Sequence, residues 1–164
     1  MAGGSDTPSP MADVFVLCTD GSELANRALV AGLALLKSGP RVVVVTVVEA
    51  FDPTLVTGAG LAGGTMSPEQ LDEYDRRAQA GGEAAVHEAA AVLGRDDVET
   101  QVLRGDPGRR VCDFAAEVGA VAVIIGTRGR GGLKRAFLGS VSDYVVRNAP
   151  CPVVVTGDVD DDTG

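Results

Sequence analysis

The chain has 164 residues, 45% hydrophobic and 23% charged, with a formal net charge of −9. This size supports one domain with a real core, and the lack of Trp, with only 4% aromatic residues, makes that core aliphatic. The acidic balance argues against general electrostatic binding to nucleic acid or to an anionic membrane, although local charge still decides any single anion site.

Residues 1–12 read as a disordered tail. They lack the basic start and apolar middle of a signal peptide, and no apolar run in the chain reaches the ~20 residues that span a bilayer. A cytoplasmic location is the resulting expectation. Val14 to Thr19 is a short apolar strand ending at Asp20–Gly21–Ser22. Ser22 is placed to cap a helix with Leu24, Ala28, Ala31 and Leu35 on its inner face, and Ser38–Gly39–Pro40 stops it. Arg41 to Glu49 carries six valines, a continuous β-branched run that reads as a strand buried on both faces. Phe51 to Thr65 is rich in Gly, Ala and Thr without a period. It reads as a long loop, either a lid or interaction segment or plain surface slack.

Ser67–Pro68–Glu69–Gln70 has the form of a helix start. Leu71, Tyr74, Ala78, Ala85, Ala89 and Val92 follow at helical spacing to Gly94, and Gly81–Gly82 should weaken or bend this helix. Val98 to Leu103 is a more polar strand, expected near an edge. Asp106–Pro107 opens a helix with Val111, Phe114, Ala115 and Val118 inward and Gly119 as its stop. Val121 to Ile125 is another fully apolar strand. A helix follows from Ser140, left through Pro150 and Pro152, and Val153 to Thr156 is the fifth strand. The residues from 157 on, with Asp158, Asp160, Asp161 and Asp162, read as a solvated acidic tail. Cys18, Cys112 and Cys151 are odd in number and widely spaced, which fits neither a disulfide framework nor a CxxC zinc site. Buried free thiols are expected.

Strands alternating with helices imply an α/β fold, a parallel sheet with helices on both faces. Ligands of such sheets bind beyond the carboxyl ends of the strands, where the winding reverses. Two loops qualify: Thr19–Asp20–Gly21–Ser22, and the segment from Gly126 to Ser140. The second has glycines that let backbone approach a ligand, exposed amides that can cradle an anion, and a helix N-terminus at its end. It holds Arg128, Arg130, Lys134 and Arg135 and no acid. In an acidic chain this local reversal favours a polyanion; the alternative is a flexible glycine loop with a solvated basic face. It is neither a Walker A loop nor a dinucleotide fingerprint. Ser140 either caps the helix or gives its hydroxyl to a phosphate.

The spacing Gly126-x2-Gly129-x9-Gly139-Ser140 resembles the G-x2-G-x9-G-[S/T] motif of ATP-binding universal stress proteins. The continuation to Val155 and the start at Thr19–Asp20–Gly21–Ser22–Glu23 are similar to that family as well, from about Asp13 to Thr156. The resemblance implies a single domain over residues 13–156 with an open five-stranded sheet of order 3-2-1-4-5, a Rossmann-like arrangement. It implies ATP as the ligand, with Mg2+ carried on the phosphates. Thr19 and Asp20 would sit at the ribose or nucleoside end and Val47 would hold adenine. Gly126, Gly129, Gly139 and Ser140 would hold ribose and phosphates, with Arg128, Arg130 and Val141 at the margin. It further implies a homodimer through Val153–Thr156.

Hydrolysis of ATP needs a group that positions or activates water, and no base is evident. His87, the lone histidine, falls mid-helix and away from both loops. A nucleotide-dependent stress regulator is the leading expectation. A slow ATPase or an autophosphorylating protein, with Ser140 or Ser142 as acceptor, is the second. A nucleotidyl-transferring enzyme ranks last, because neither a PP-loop nor a HIGH-type motif follows the first strand.

Overall fold

The computed structural model describes residues 13–35, 41–50, 67–127 and 138–157. The elements run β1 (Val14–Cys18), α1 (Glu23–Leu33), β2 (Arg41–Val48), α2 (Pro68–Val92), β3 (Val98–Arg104), α3 (Pro107–Glu117), β4 (Ala122–Gly126), α4 (Ser140–Asn148) and β5 (Val153–Thr156). The five strands form one parallel sheet of order β3-β2-β1-β4-β5. The chain thus winds outward through β2 and β3, then crosses to β4 on the far side of β1. The winding reverses between β1 and β4.

The valine run of β2 explains the two-sided core. Side chains alternate across a strand, so Val42 and Val44 face one way and Val43 and Val45 the other. The first pair joins Leu17 and Ile124 under α1 and α2, through Leu29, Val86 and Ala89. The second joins Val16, Cys18 and Val123 under α3 and α4, through Val111, Cys112, Ala115 and Val145. Helices therefore cover both faces.

Several expected inward faces are displaced. In α1 the buried residues are Ala25, Asn26, Ala28, Leu29 and Gly32, not Leu24, Ala31 and Leu35; Leu35 is 73% exposed. In α2 only Gly82, Ala85, Val86 and Ala89 are buried, and Tyr74 and Val92 are exposed. This 25-residue helix outruns the 8-residue strand β2 that it crosses. At 1.5 Å per helical residue its first turns have no sheet beneath them. Gly81–Gly82 does not break it. A side chain at Gly82 would stand 2.8 and 2.9 Å from methyls of Val102 and Val48, so the glycine lets the helix approach the sheet. In α3, Gly108 and Cys112 are buried beside Val111 and Ala115, with Phe114 and Val118 only half-buried. Among the described residues no helix is long and apolar enough to cross a membrane. The loop from 51 to 65 and both tails lie outside the described residues.

Candidate functional site

The register of the central strands assembles the site. Cys18 pairs with Ile125 on β4 and with Val45 on β2. Thr19 and Asp20 therefore leave β1 beside Gly126, and Val47 lies two residues past Val45 on the other flank. Gly126 is buried and pairs with Thr156 of β5. The Thr127 amide donates to the Thr156 carbonyl at 2.9 Å, and the Gly139 amide donates to the Thr127 carbonyl at 2.8 Å. The chain that leaves β4 at Thr127 thus returns to the same point to start α4. Arg128, Gly129 and Arg130 lie outside the described residues. The other seven expected residues share the carboxyl edge of the sheet.

The β1 side is closed by its own bonds. The Thr19 hydroxyl donates to Asn26 Oδ1 at 2.9 Å and accepts from the Gly21 amide at 3.0 Å. Its amide donates to the Val45 carbonyl. Gly21 takes φ 78°, a left-handed value that suits glycine. The Ser22 amide and hydroxyl donate to Asp20 Oδ1 at 3.0 and 2.7 Å, and Ser22 Oγ accepts from the Ala25 amide at 3.1 Å. Ser22 is the N-cap of α1 as expected. Asp20 is thereby held in one orientation, half-buried at the sheet edge.

The β4 side is built differently. The N-cap of α4 is Gly139, not Ser140, and no side chain among the described residues caps the helix. Ser140 is the first helical residue and is exposed. The first intrahelical bond runs from the Asp143 amide to the Gly139 carbonyl. The amides of Ser140, Val141 and Ser142 precede it and have no acceptor within the helix. The other three helices are capped by side chains, α1 by Ser22, α2 by Ser67 with Gln70 in a capping box, and α3 by Asp106. Val141 is half-buried against the α3 and α4 core, as is Val47.

The sequence alone did not single out Asn26 or Thr127, and it offered Ser142, with Ser140, as an acceptor in an autophosphorylating protein. Ser142 is 3% exposed, and its hydroxyl lies 3.2 Å from the Thr127 carbonyl and 3.1 Å from the Gly139 carbonyl. It faces inward and cannot meet a phosphoryl donor. The one available signal was that Asn and Ser are poor interior helix formers unless their side chains have a partner. His87 is exposed on α2, with Nδ1 2.7 Å from the Glu83 carbonyl oxygen.

All three cysteines are free; Cys18 and Cys112 are buried and Cys151 is half-buried. Burial pushes the Cys18 thiol far up, and the neighbouring Cys112 and Cys151 push it further. Cys112 and Cys151 are also raised, chiefly by burial.

A profile of the Universal stress protein family matches residues 11–157. The chain belongs to the universal stress protein family. It is 32% identical over 146 residues to a universal stress protein of Thermus aquaticus, covering 88% of this chain and 98% of that one. It is 27% identical over 148 residues to the universal stress protein YxiE of Bacillus subtilis (strain 168), covering 88% and 99%. Among solved structures it is similar to universal stress protein UspA from Lactobacillus plantarum, with a TM-score of 0.67 at 19% identity over 90% and 99% of the two chains. A universal stress protein family member from Arabidopsis thaliana with AMP bound gives 0.55 at 19% identity, over 88% and 90%. A universal stress protein in complex with cAMP gives 0.51 at 21%, over 88% and 95%. These structures establish that the sheet order and helical layers are those of universal stress proteins.

Proposed function

We propose that this universal stress protein binds an adenine nucleotide, with ATP as the preferred form, and acts as a nucleotide-dependent regulator in a stress response. The observation that carries the reading is the uncapped N-terminus of α4. Three helices satisfy their first turn with a side chain, while α4 presents the amides of Ser140, Val141 and Ser142, and an exposed hydroxyl at Ser140, beside the glycines Gly126 and Gly139. Free amides and the positive end of a helix dipole suit phosphate. The chain's own residues fit the rest of the ligand. The Asp20 carboxylate, held by Ser22, suits ribose hydroxyls, and half-buried Val47 suits an adenine face. Arg128, Gly129 and Arg130 complete the phosphate end in this reading, and Mg2+ arrives on the phosphates. The AMP and cAMP complexes of two structural neighbours support adenine as the base.

The two edges of the sheet support a homodimer through β5. The edge strand β3 carries ion pairs from Glu99 to Arg41 and from Arg104 to Asp75. The other edge strand, β5, is Val153–Thr156, uncharged and half-buried along its length. Charged edges resist pairing and apolar ones invite it.

The test is to denature the purified protein and identify any released nucleotide by mass and absorbance. Adenine nucleotide in near-stoichiometric amount supports the reading. No nucleotide, together with no ATP binding by calorimetry, overturns it. The second reading, slow hydrolysis, is separated by phosphate release with Mg-ATP: turnover well above a Gly139→Asp control would replace the regulator with an ATPase.

A further inference from the structure

The Thr127 carbonyl is a meeting point. It accepts from the Gly139 amide at 2.8 Å and lies 3.2 Å from Ser142 Oγ, while the Thr127 amide is tied to Thr156 of β5 at 2.9 Å. Ser142 Oγ lies 3.1 Å from the Gly139 carbonyl as well, so the single proton of one buried hydroxyl is shared between the point where the chain leaves β4 and the point where it enters α4. A serine in the first turn of a helix commonly faces solvent or competes for its own backbone. Ser142 reaches back to its own helix end at Gly139 and also points into the protein, at 3% exposure, toward the Thr127 carbonyl. The adjacent Thr127 carbonyl keeps the Gly139 bond if Ser142 is removed, so the hydroxyl is not needed to satisfy that acceptor. What it adds is a second, off-axis tie between strand end and helix end. Val145, buried in the core, anchors the body of α4; the added tie acts at its first turn, where the amides of Ser140, Val141 and Ser142 open the helix.

We propose that the Ser142 side chain has a positioning role in phosphate recognition: by tying the first turn of α4 to the Thr127 carbonyl it aims the amides of that turn, and the hydroxyl itself touches no ligand. The proposal rests on the nucleotide reading above and deepens it. Its signature is a dependence on phosphate. Misaiming the amides weakens contacts to phosphate and leaves contacts to the nucleoside at Asp20 and Val47 intact.

The test compares ATP and adenosine binding by calorimetry in the wild type, Ser142→Ala and Ser142→Cys, the last keeping the shape in a slightly larger side chain with a weaker donor. Losing the hydroxyl is expected to weaken ATP roughly tenfold while adenosine changes less than about twofold. Exchange of the Gly139 amide with solvent should accelerate in both variants without ligand. A ratio of ATP to adenosine affinity that stays at the wild-type value, whether both ligands hold or both weaken together, overturns the proposal and leaves the site standing. A wild type that binds neither ligand overturns the nucleotide reading, and the proposal with it.

Discussion

Two helices begin on adjacent strands of this sheet, and they begin in opposite ways. After β1, Gly21–Ser22 opens α1 with the serine as N-cap, closing on the Ala25 amide and holding Asp20. After β4, Gly139–Ser140 opens α4 with the glycine as N-cap and the serine one place inside. The dipeptides are identical, but a shift of one position leaves one helix end closed and the other open. The closed end fixes a carboxylate; the open end offers amides. A nucleotide, with hydroxyls at one end and phosphates at the other, matches that polarity.

The strongest way to break the contrast is to close the open end. Gly139 has φ −63° and ψ 160°, values open to any residue. A Gly139→Asp side chain would cap α4 and set a negative charge where phosphate is expected. ATP affinity should fall about 100-fold, or about 2.7 kcal/mol, while the cap leaves the fold as stable or up to ~1 kcal/mol more stable. Calorimetry and denaturant melts report the two quantities, and unchanged ATP affinity would remove the open end from the site. The serines sharpen the contrast at smaller scale. Ser22→Ala should cost about 1 kcal/mol of stability through the lost cap. Ser140→Ala should stay within about 0.5 kcal/mol, because it caps nothing, and should weaken ATP only a few-fold. Equal losses in denaturant melts would contradict the assigned caps. The smallest effect concerns Cys18, at the end of β1. Its raised thiol pKa keeps it neutral and its burial shields it, so alkylation of the native protein should label Cys151 first. Early labelling of Cys18 would show that the β1 end is looser than its hydrogen bonds indicate.

What was legible in the sequence follows the same division. Strands show themselves by composition, and Val42 to Val45 could serve only a sheet covered on both sides. Caps with strong local signals, Ser67–Pro68–Glu69–Gln70 and Asp106–Pro107, lie where their residues put them. The face of α1 misleads because Leu24 and Leu35 are apolar at its margins while buried Asn26 is polar; its partner, the Thr19 hydroxyl, appears only once the turn has formed. Tyr74 keeps helical spacing on turns of α2 that extend past the sheet. Ser142 could not be told from Ser140 by type, since one faces inward only because Thr127 and Gly139 meet there. Pattern identifies elements and the glycine spacing; the aim of individual polar side chains depends on contacts between distant segments.

The most direct measurement is an amide NMR titration of the labelled full chain with Mg-ATP. The amides of Ser140, Val141 and Ser142 should show the largest shifts and gain protection from exchange, while the Ala25 amide, already held by Ser22, keeps its protection unchanged. Saturating ATP that leaves the three α4 amides unmoved, or that moves the first turn of α1 as much, would contradict the assignment of α4 as the phosphate-binding end.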